Sequence, residues 1–293
     1  MDQAEKLRQK VNQINSQNSG ARVIAVTSGK GGVGKTSLSV NLAIQLKKQG
    51  KDVVIIDADF GLANVEVMLG IRPVYNLSDL IYNNKSVDDI ITAGPEGIGF
   101  ISGGSGVQDL VNLDKSNIKI LISKLAKLDK LYDIVIIDTG AGIADSVLEF
   151  VLTSPEVIIV VTPEPTSITD AYSLLKAVNR KKEFVANDKS IKVVTNRVFD
   201  EKEGDEIFEK LSIVVSKFLN VNLEYLGYIV QGNEASKAVI EQNPVSISYA
   251  NSTISRCISD ISSRLIFKDS IVAEKNGIAK VFLDFIKTKR QKW

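Results

Sequence analysis

The stretch that most limits what this chain can become is Gly29-Lys30-Gly31-Gly32-Val33-Gly34-Lys35-Thr36. It satisfies the pattern G-x-x-x-x-G-K-[ST]. The apolar run Val23–Thr27 precedes it, and a helical pattern from Lys35 to Lys48 follows. That strand–loop–helix context is what the motif needs in order to hold phosphate. Its glycines let backbone N–H groups converge on anionic oxygens, and the helix N-terminus adds positive potential. In such a loop Lys35 reaches the β- and γ-phosphates and the Thr36 hydroxyl holds Mg²⁺. Gly29, Gly31 and Gly34 also spell G-x-G-x-x-G, with Asp57 at about the dinucleotide spacing, so a Rossmann-type oxidoreductase competes. That alternative gives no reason for Lys35-Thr36. Nor does it explain Ile134–Asp138, a second apolar run ending in an acid that can orient a metal's water shell. The nucleoside-triphosphate reading is preferred.

Around this loop, short β-branched runs alternate with helical patterns: Val53–Asp57, Ile98–Ser102, Ile134–Asp138, Val157–Thr162, Ile191–Thr195 and Leu226–Val230. Unalternated apolar runs separated by helices read as buried parallel strands. The expected fold is α/β, a doubly wound and mostly parallel sheet of the P-loop NTPase type with helical appendages at both ends. The expected divisions are an N-terminal helix and linker over 1–20, the nucleotide-binding domain over 21–266, closed by a helix over 246–266, and a C-terminal segment over 267–293.

Composition removes other chemistries. The chain of 293 residues has no histidine, which excludes Ser-His-Asp triads, His-ligated zinc and imidazole acid–base catalysis. Its single cysteine, Cys257, excludes an intrachain disulfide or a Cys-cage metal site and suits a reducing compartment. The start of the chain is too charged for a signal peptide, and apolar runs fall short of the roughly 18 residues a membrane span needs. A cytoplasmic protein is expected. The net charge of +1 hides an asymmetry: residues 268–293 carry +4 and residues 1–20 carry +1, which leaves −4 on the body. An acidic body disfavours nucleic acid as a partner, whereas an anionic membrane surface suits the tail.

Two further features narrow the class. Lys30 is a second lysine inside the phosphate loop, which an ordinary loop does not need; a solvated side chain is the plain alternative. Asp57-Ala58-Asp59 ends the second strand, at the edge where parallel sheets carry their ligand crevice. One of these acids can position an attacking water, or merely cap the next segment. Lys30 to Thr36, Asp57 to Asp59 and Asp138-Thr139-Gly140 together resemble the deviant-Walker family of MinD and ParA ATPases. The resemblance spans about Arg22 to Arg264. It implies an Mg²⁺-dependent ATPase, bound to ATP or ADP, that forms a homodimer sandwiching two ATP molecules. It also implies that Lys30 crosses to the partner's phosphates, that Asp59 positions the hydrolytic water, and that Gly140 senses the γ-phosphate. Ser37 would touch the α-phosphate, Asn196 would read adenine, and Thr36, Asp57 and Asp138 would surround the metal. Iron–sulfur members need several cysteines, and partitioning members need a basic DNA-binding face; neither fits.

The ends decide between the remaining branches. Ile278, Val281, Phe282, Phe285 and Ile286 follow i, i+3, i+4, i+7, i+8, ringed by Lys280, Lys287, Lys289, Arg290 and Lys292. This is the pattern of an interfacial amphipathic helix, although a helix docked on the body has the same spacing. The basic cluster favours the membrane. At the other end, Ala4, Leu7, Val11 and Ile14 mark a short helix on a polar linker. Its residues Asp2 to Arg8 resemble the D-Q-A-x-x-L-R motif of the FlhG family (also called YlxH or FleN), MinD-like regulators of flagellar number and placement. That resemblance implies stimulation of an FlhF-type GTPase, with Gln3 and Arg8 at the GTPase site and Ala4 and Leu7 docking. Lys176, Arg180, Lys181 and Lys182 form a basic helix end, read as a solvated face or as a dock for a flagellar switch (C-ring) component. Other readings are a division-site or ParA-like positioning ATPase, and a P-loop phosphotransferase or ligase acting on a metabolite.

Overall fold

A computed structural model of the chain describes residues 20–59, 64–104, 114–181, 184, 189–267 and 277–290. In chain order it runs β1 (Arg22–Ser28), α1 (Lys35–Lys48), β2 (Val53–Ala58), α2 (Asn64–Leu69), α3 (Asp79–Tyr82), α4 (Val87–Ile90), β3 (Thr92–Ala93) and β4 (Gly99–Ile101). There follow α5 (Lys115–Leu125), α6 (Leu128–Leu131), β5 (Ile134–Ala141), α7 (Asp145–Thr153), β6 (Glu156–Val161), α8 (Pro165–Asn179) and β7 (Ser190–Val198). The chain continues through α9 (Glu201–Leu219), β8 (Glu224–Val230), α10 (Asn233–Ile240), α11 (Val245–Ser248), α12 (Thr253–Phe267) and α13 (Gly277–Arg290). Every strand predicted from the apolar runs is present. The short strand β3 was not expected, because two residues carry no periodicity to read.

The strands form one sheet in the order β3-β4-β2-β5-β1-β6-β7-β8, parallel throughout except for the edge pair β3 and β4. Each central strand sends alternate residues to opposite faces. Ile24, Ile55 and Ile136 enter one core beneath α1, α2 and α12, while Val23, Val54 and Val135 enter the other. Both faces are covered, which is why the runs read as continuously apolar. The second face is divided: α7, α8 and α9 cover β6 and β7, and α5, α6 and α13 lie on the β1, β2 and β5 side.

In this structure the C-terminal helix is docked on the body, the alternative its spacing also allows. Ile278, Val281, Phe282, Phe285 and Ile286 do not face outward here; all five are buried in the body's own core. Phe285 stacks on Phe150 of α7 at 4.5 Å between ring centroids, and Phe282 meets the same ring edge-on at 5.8 Å. The periodicity does mark one apolar face, and the same stripe serves a protein groove as well as a bilayer. Sequence spacing contains no information about which apolar phase receives it. The closing helix, expected over 246–266, starts only at Thr253, because α11 and a turn at Tyr249–Ser252 precede it.

Candidate functional site

The phosphate loop leaves β1 at the carboxyl edge of the sheet and enters α1 through Gly34, whose φ of +95° is open only to glycine without strain. Asn196, at the end of β7, packs its amide against Gly34 and donates to the Val33 carbonyl at 2.7 Å. The loop is thus braced from across the sheet. Gly31 and Gly32 are exposed, and a Cβ on either would project into open space. Both glycines line the cavity beside the loop. Lys35 is buried at 7% exposure, while Thr36 and Ser37 stand half-buried in the first turn of α1.

Beneath the loop, Asp57 and Asp138 are registered partners on β2 and β5. Asp138 is fully buried; its Oδ2 accepts from the Thr36 hydroxyl at 2.7 Å and its Oδ1 from the Ser39 hydroxyl at 2.7 Å. Burial raises the Asp138 carboxyl above the usual carboxylate range, against the pull of Lys35 and the two hydroxyls. Asp57 is pushed up to about 7, first by burial and then by the negative charge of Asp138. Two buried carboxylates, with Lys35 pulling on Asp138 but not offsetting the burial of the pair, are the electrostatic complement of a divalent ion. With the Thr36 hydroxyl beside them, the oxygen donors suit Mg²⁺. A cavity of about 950 Å³ opens beside the phosphate loop, and its lining includes Lys35, Thr36, Asp59, Asn196 and Arg197.

Asp59 is partly buried, its backbone N–H bonded to Asp57 Oδ1 at 3.0 Å and its carboxylate accepting from Asn64 Nδ2 at 3.2 Å. Gly140 lies beside this carboxylate: a Cβ there would stand 3.5 Å from Asp59 Oδ1, in ordinary contact. Lys30 is ion-paired with Glu164, at the start of α8, and donates to the Thr166 hydroxyl at 2.9 Å. The pair holds the Glu164 carboxyl below its usual range. Asn196 spends its amide on Val33 and its carbonyl on the Arg197 N–H, at 2.9 Å.

Three residues escaped the sequence reading. Ser39 lies one turn beyond Thr36 on the same helix face, a spacing that was visible. Glu164 is brought to Lys30 from 134 residues away and carries no local signal, whereas Asn64 lies only five residues past Asp59, at the start of α2. Of the basic helix end, Lys181 reaches Asp145 at 3.9 Å and Lys176 lies 6.0 Å from the Tyr172 ring centroid. Lys182 and the N-terminal residues Gln3, Ala4, Leu7 and Arg8 fall outside the described residues.

A doubly wound sheet with a lysine- and threonine-bearing phosphate loop over paired strand-end aspartates defines a P-loop nucleotide hydrolase. The family described as the AAA domain matches residues 21–192. Antiactivator FleN of Pseudomonas aeruginosa is 40% identical over 244 residues, 83% of this chain and 86% of its own length. The flagellum site-determining protein YlxH of Helicobacter pylori is 32% identical over 91% of this chain and 90% of its own. Among solved structures, MinD in the MinC:MinD cell division complex of Aquifex aeolicus superposes with a TM-score of 0.65 at 27% identity, covering 86% of this chain and 98% of that one. MinD with Mg-ADP from Pyrococcus horikoshii superposes at 0.67 and 22% identity over 87% of this chain and 99% of that one, a likeness of fold. The chain belongs to the MinD/ParA family of P-loop ATPases, in its FlhG (FleN, YlxH) branch.

Proposed function

We propose that the protein is an ATP-driven switch for flagellar number and placement, which dimerises on binding ATP, attaches to anionic membrane through α13 and stimulates an FlhF-type GTPase with its N-terminal segment. The observation that carries the reading is a material link between site and tail. Helix α7 begins five residues past Gly140, and its Phe150 is the ring on which Phe282 and Phe285 of α13 pack. A shift of the loop after β5 therefore moves the wall of the groove that holds α13.

Within the site, the loop N–H groups and Lys35 bind the phosphates, and Thr36, Asp57 and Asp138 hold the metal, which supplies charge neutralisation at the phosphoryl oxygens when bound. Asp59, aligned by Asn64, accepts a proton from and orients the water. Ser37 lies toward the α-phosphate and Asn196 toward the base. Lys30 leaves Glu164 to reach the phosphates of the partner, a cation arriving in trans as an arginine finger does. A chain whose lysine is held by its own Glu164 is a poor catalyst alone, which ties hydrolysis to dimerisation.

Leaving the groove removes five buried apolar side chains from the core, each worth about 1.5–3 kcal/mol. Water cannot compensate that loss, but a bilayer can. Basic side chains add about 1 kcal/mol each near anionic lipid, and a dimer engages two tails at once. Among the described residues no helix is long and apolar enough to cross a membrane, so attachment is peripheral in this reading.

The test has two arms. Asp59→Ala in saturating Mg-ATP should run as a stable dimer by light scattering and float with phosphatidylglycerol vesicles; a strictly monomeric variant would sink the switch. A peptide of residues 1–20 should raise GTP hydrolysis by the FlhF-type GTPase, and Gln3→Ala should remove the effect. No stimulation by peptide or full chain would leave a MinD-like positioning ATPase with another partner.

A further inference from the structure

The two ends of the body meet at one carboxylate. Gly20, where the N-terminal segment joins β1, is in backbone contact with Gly277, the first residue of α13: a Cβ on Gly20 would come within 2.6 Å of the Gly277 Cα. Asp129 of α6 stands beside both. Its Oδ1 accepts from the Ile278 N–H at 2.7 Å and from the Ala21 N–H at 3.2 Å, and the Ala279 N–H bonds the same carboxylate. Gly277 has φ +68°, and a Cβ there would lie 2.5 Å from Asp129 Oδ2, so glycine is required for this approach. Burial raises the Asp129 carboxyl above its usual range while the three N–H donors pull it down.

The strand on the far side of this junction is fixed. The Arg22 N–H donates to the Asp133 carbonyl at 2.9 Å, and the Arg22 side chain lies in a buried ion cluster with Glu156 and Lys192. Asp129 therefore holds the Gly20–Ala21 peptide, at which a rigid strand meets the N-terminal segment, and with the same oxygen it holds the first turn of α13.

We propose that Asp129 is a positioning residue that couples the seating of α13 to the direction in which the N-terminal segment leaves the body. This rests on the reading above that α13 is able to leave its groove. When its first turn departs, Asp129 loses two of its three donors and Gly277 no longer walls Gly20. The carboxylate then turns toward water, and the root of the segment is released. The coupling is reciprocal by linkage, so a partner that draws on the segment loosens the helix. A GTPase would in this way meet a differently presented segment on a membrane-attached chain than on a chain with α13 seated.

A cap that serves α13 alone would protect the helix and leave Ala21 indifferent, which is the distinction to measure. Hydrogen exchange on the full chain resolves the amides of residues 20–24 and 277–287. Phe285→Ala lies about two helical turns from Asp129 and loosens α13 without touching the junction. It should speed exchange at Ala21 by about tenfold or more, the scale of one lost hydrogen bond to a charged group. In an Asp129→Ala background, Phe285→Ala should still speed residues 278–286 but add nothing at Ala21. Faster exchange of the helix with Ala21 unchanged overturns the coupling. Asp129→Ala alone must speed both Ala21 and Ile278; a change at only one overturns it as well, even if Phe285→Ala fails to fold. Phosphatidylglycerol vesicles with ATP separate the two readings. Unchanged exchange at 278–286 in their presence refutes release of the helix, whereas a released helix with a protected Ala21 refutes the coupling.

Discussion

At the scale of single residues, the site is organised by an electrostatic conflict between Asp57 and Asp138. An aspartate whose carboxyl titrates at about 7 in the folded chain and near 3.8 in the unfolded one holds its proton longer when folded. From about pH 4 to 7 the unfolded chain binds fewer protons, so stability falls as pH rises through that window and levels off above it. In nucleotide-free protein, Asp57→Asn should therefore raise the melting temperature at pH 8 and leave it nearly unchanged at pH 4. The gain at pH 8 should be on the order of 1–4 kcal/mol. The same variant should lose magnesium-dependent nucleotide affinity, because the oxygen charge is gone. A variant equally stable with wild type at pH 8 would mean that Asp57 is compensated by some other group. Ser39 makes the complementary case: Ser39→Ala leaves Asp138 Oδ1 without its 2.7 Å donor in a buried position. It should cost about 1–3 kcal/mol in urea unfolding. Both acids were legible from strand ends in the sequence. Their mutual registry and the Ser39 bond were not, since those depend on β2 and β5 being sheet neighbours.

At the scale of elements, α13 is the informative case. Its spacing announced an amphipathic helix, and the helix exists over Gly277–Arg290. Its basic surroundings favoured lipid, yet the groove between α5, α7 and β1 takes the apolar face. Phe285→Ala should lower the unfolding free energy by about 3–5 kcal/mol, as for a fully buried core phenylalanine. An appendage that rested loosely on the surface would lose less than about 1 kcal/mol. The contrast with α1 is useful. That helix was predicted over the same residues, Lys35–Lys48, because a sequence motif marks its start and it lies directly on the strand before it. Helix α13 has no such local partner; its neighbours lie more than a hundred residues earlier in the chain.

At the scale of the whole molecule, a sheet covered on both faces needs α13 as part of its second cover. A chain ending at residue 276 should bare the ring of Phe150 and the apolar groove around it. It should melt well below the full chain and self-associate, which sedimentation velocity would report. A truncated chain as stable and monomeric as the full one would show that the groove closes without the helix. The sequence by itself determined the parallel α/β class, the phosphate loop and the acids at the strand ends. Those are properties of local periodicity and of spacing within one strand–loop–helix unit. Only the tertiary structure decided which groove of the body receives α13, that Glu164 holds Lys30, and that Gly20 and Gly277 close on Asp129. Each of these is a contact between segments far apart in the chain, and nothing in the local pattern of either segment states where the other will lie.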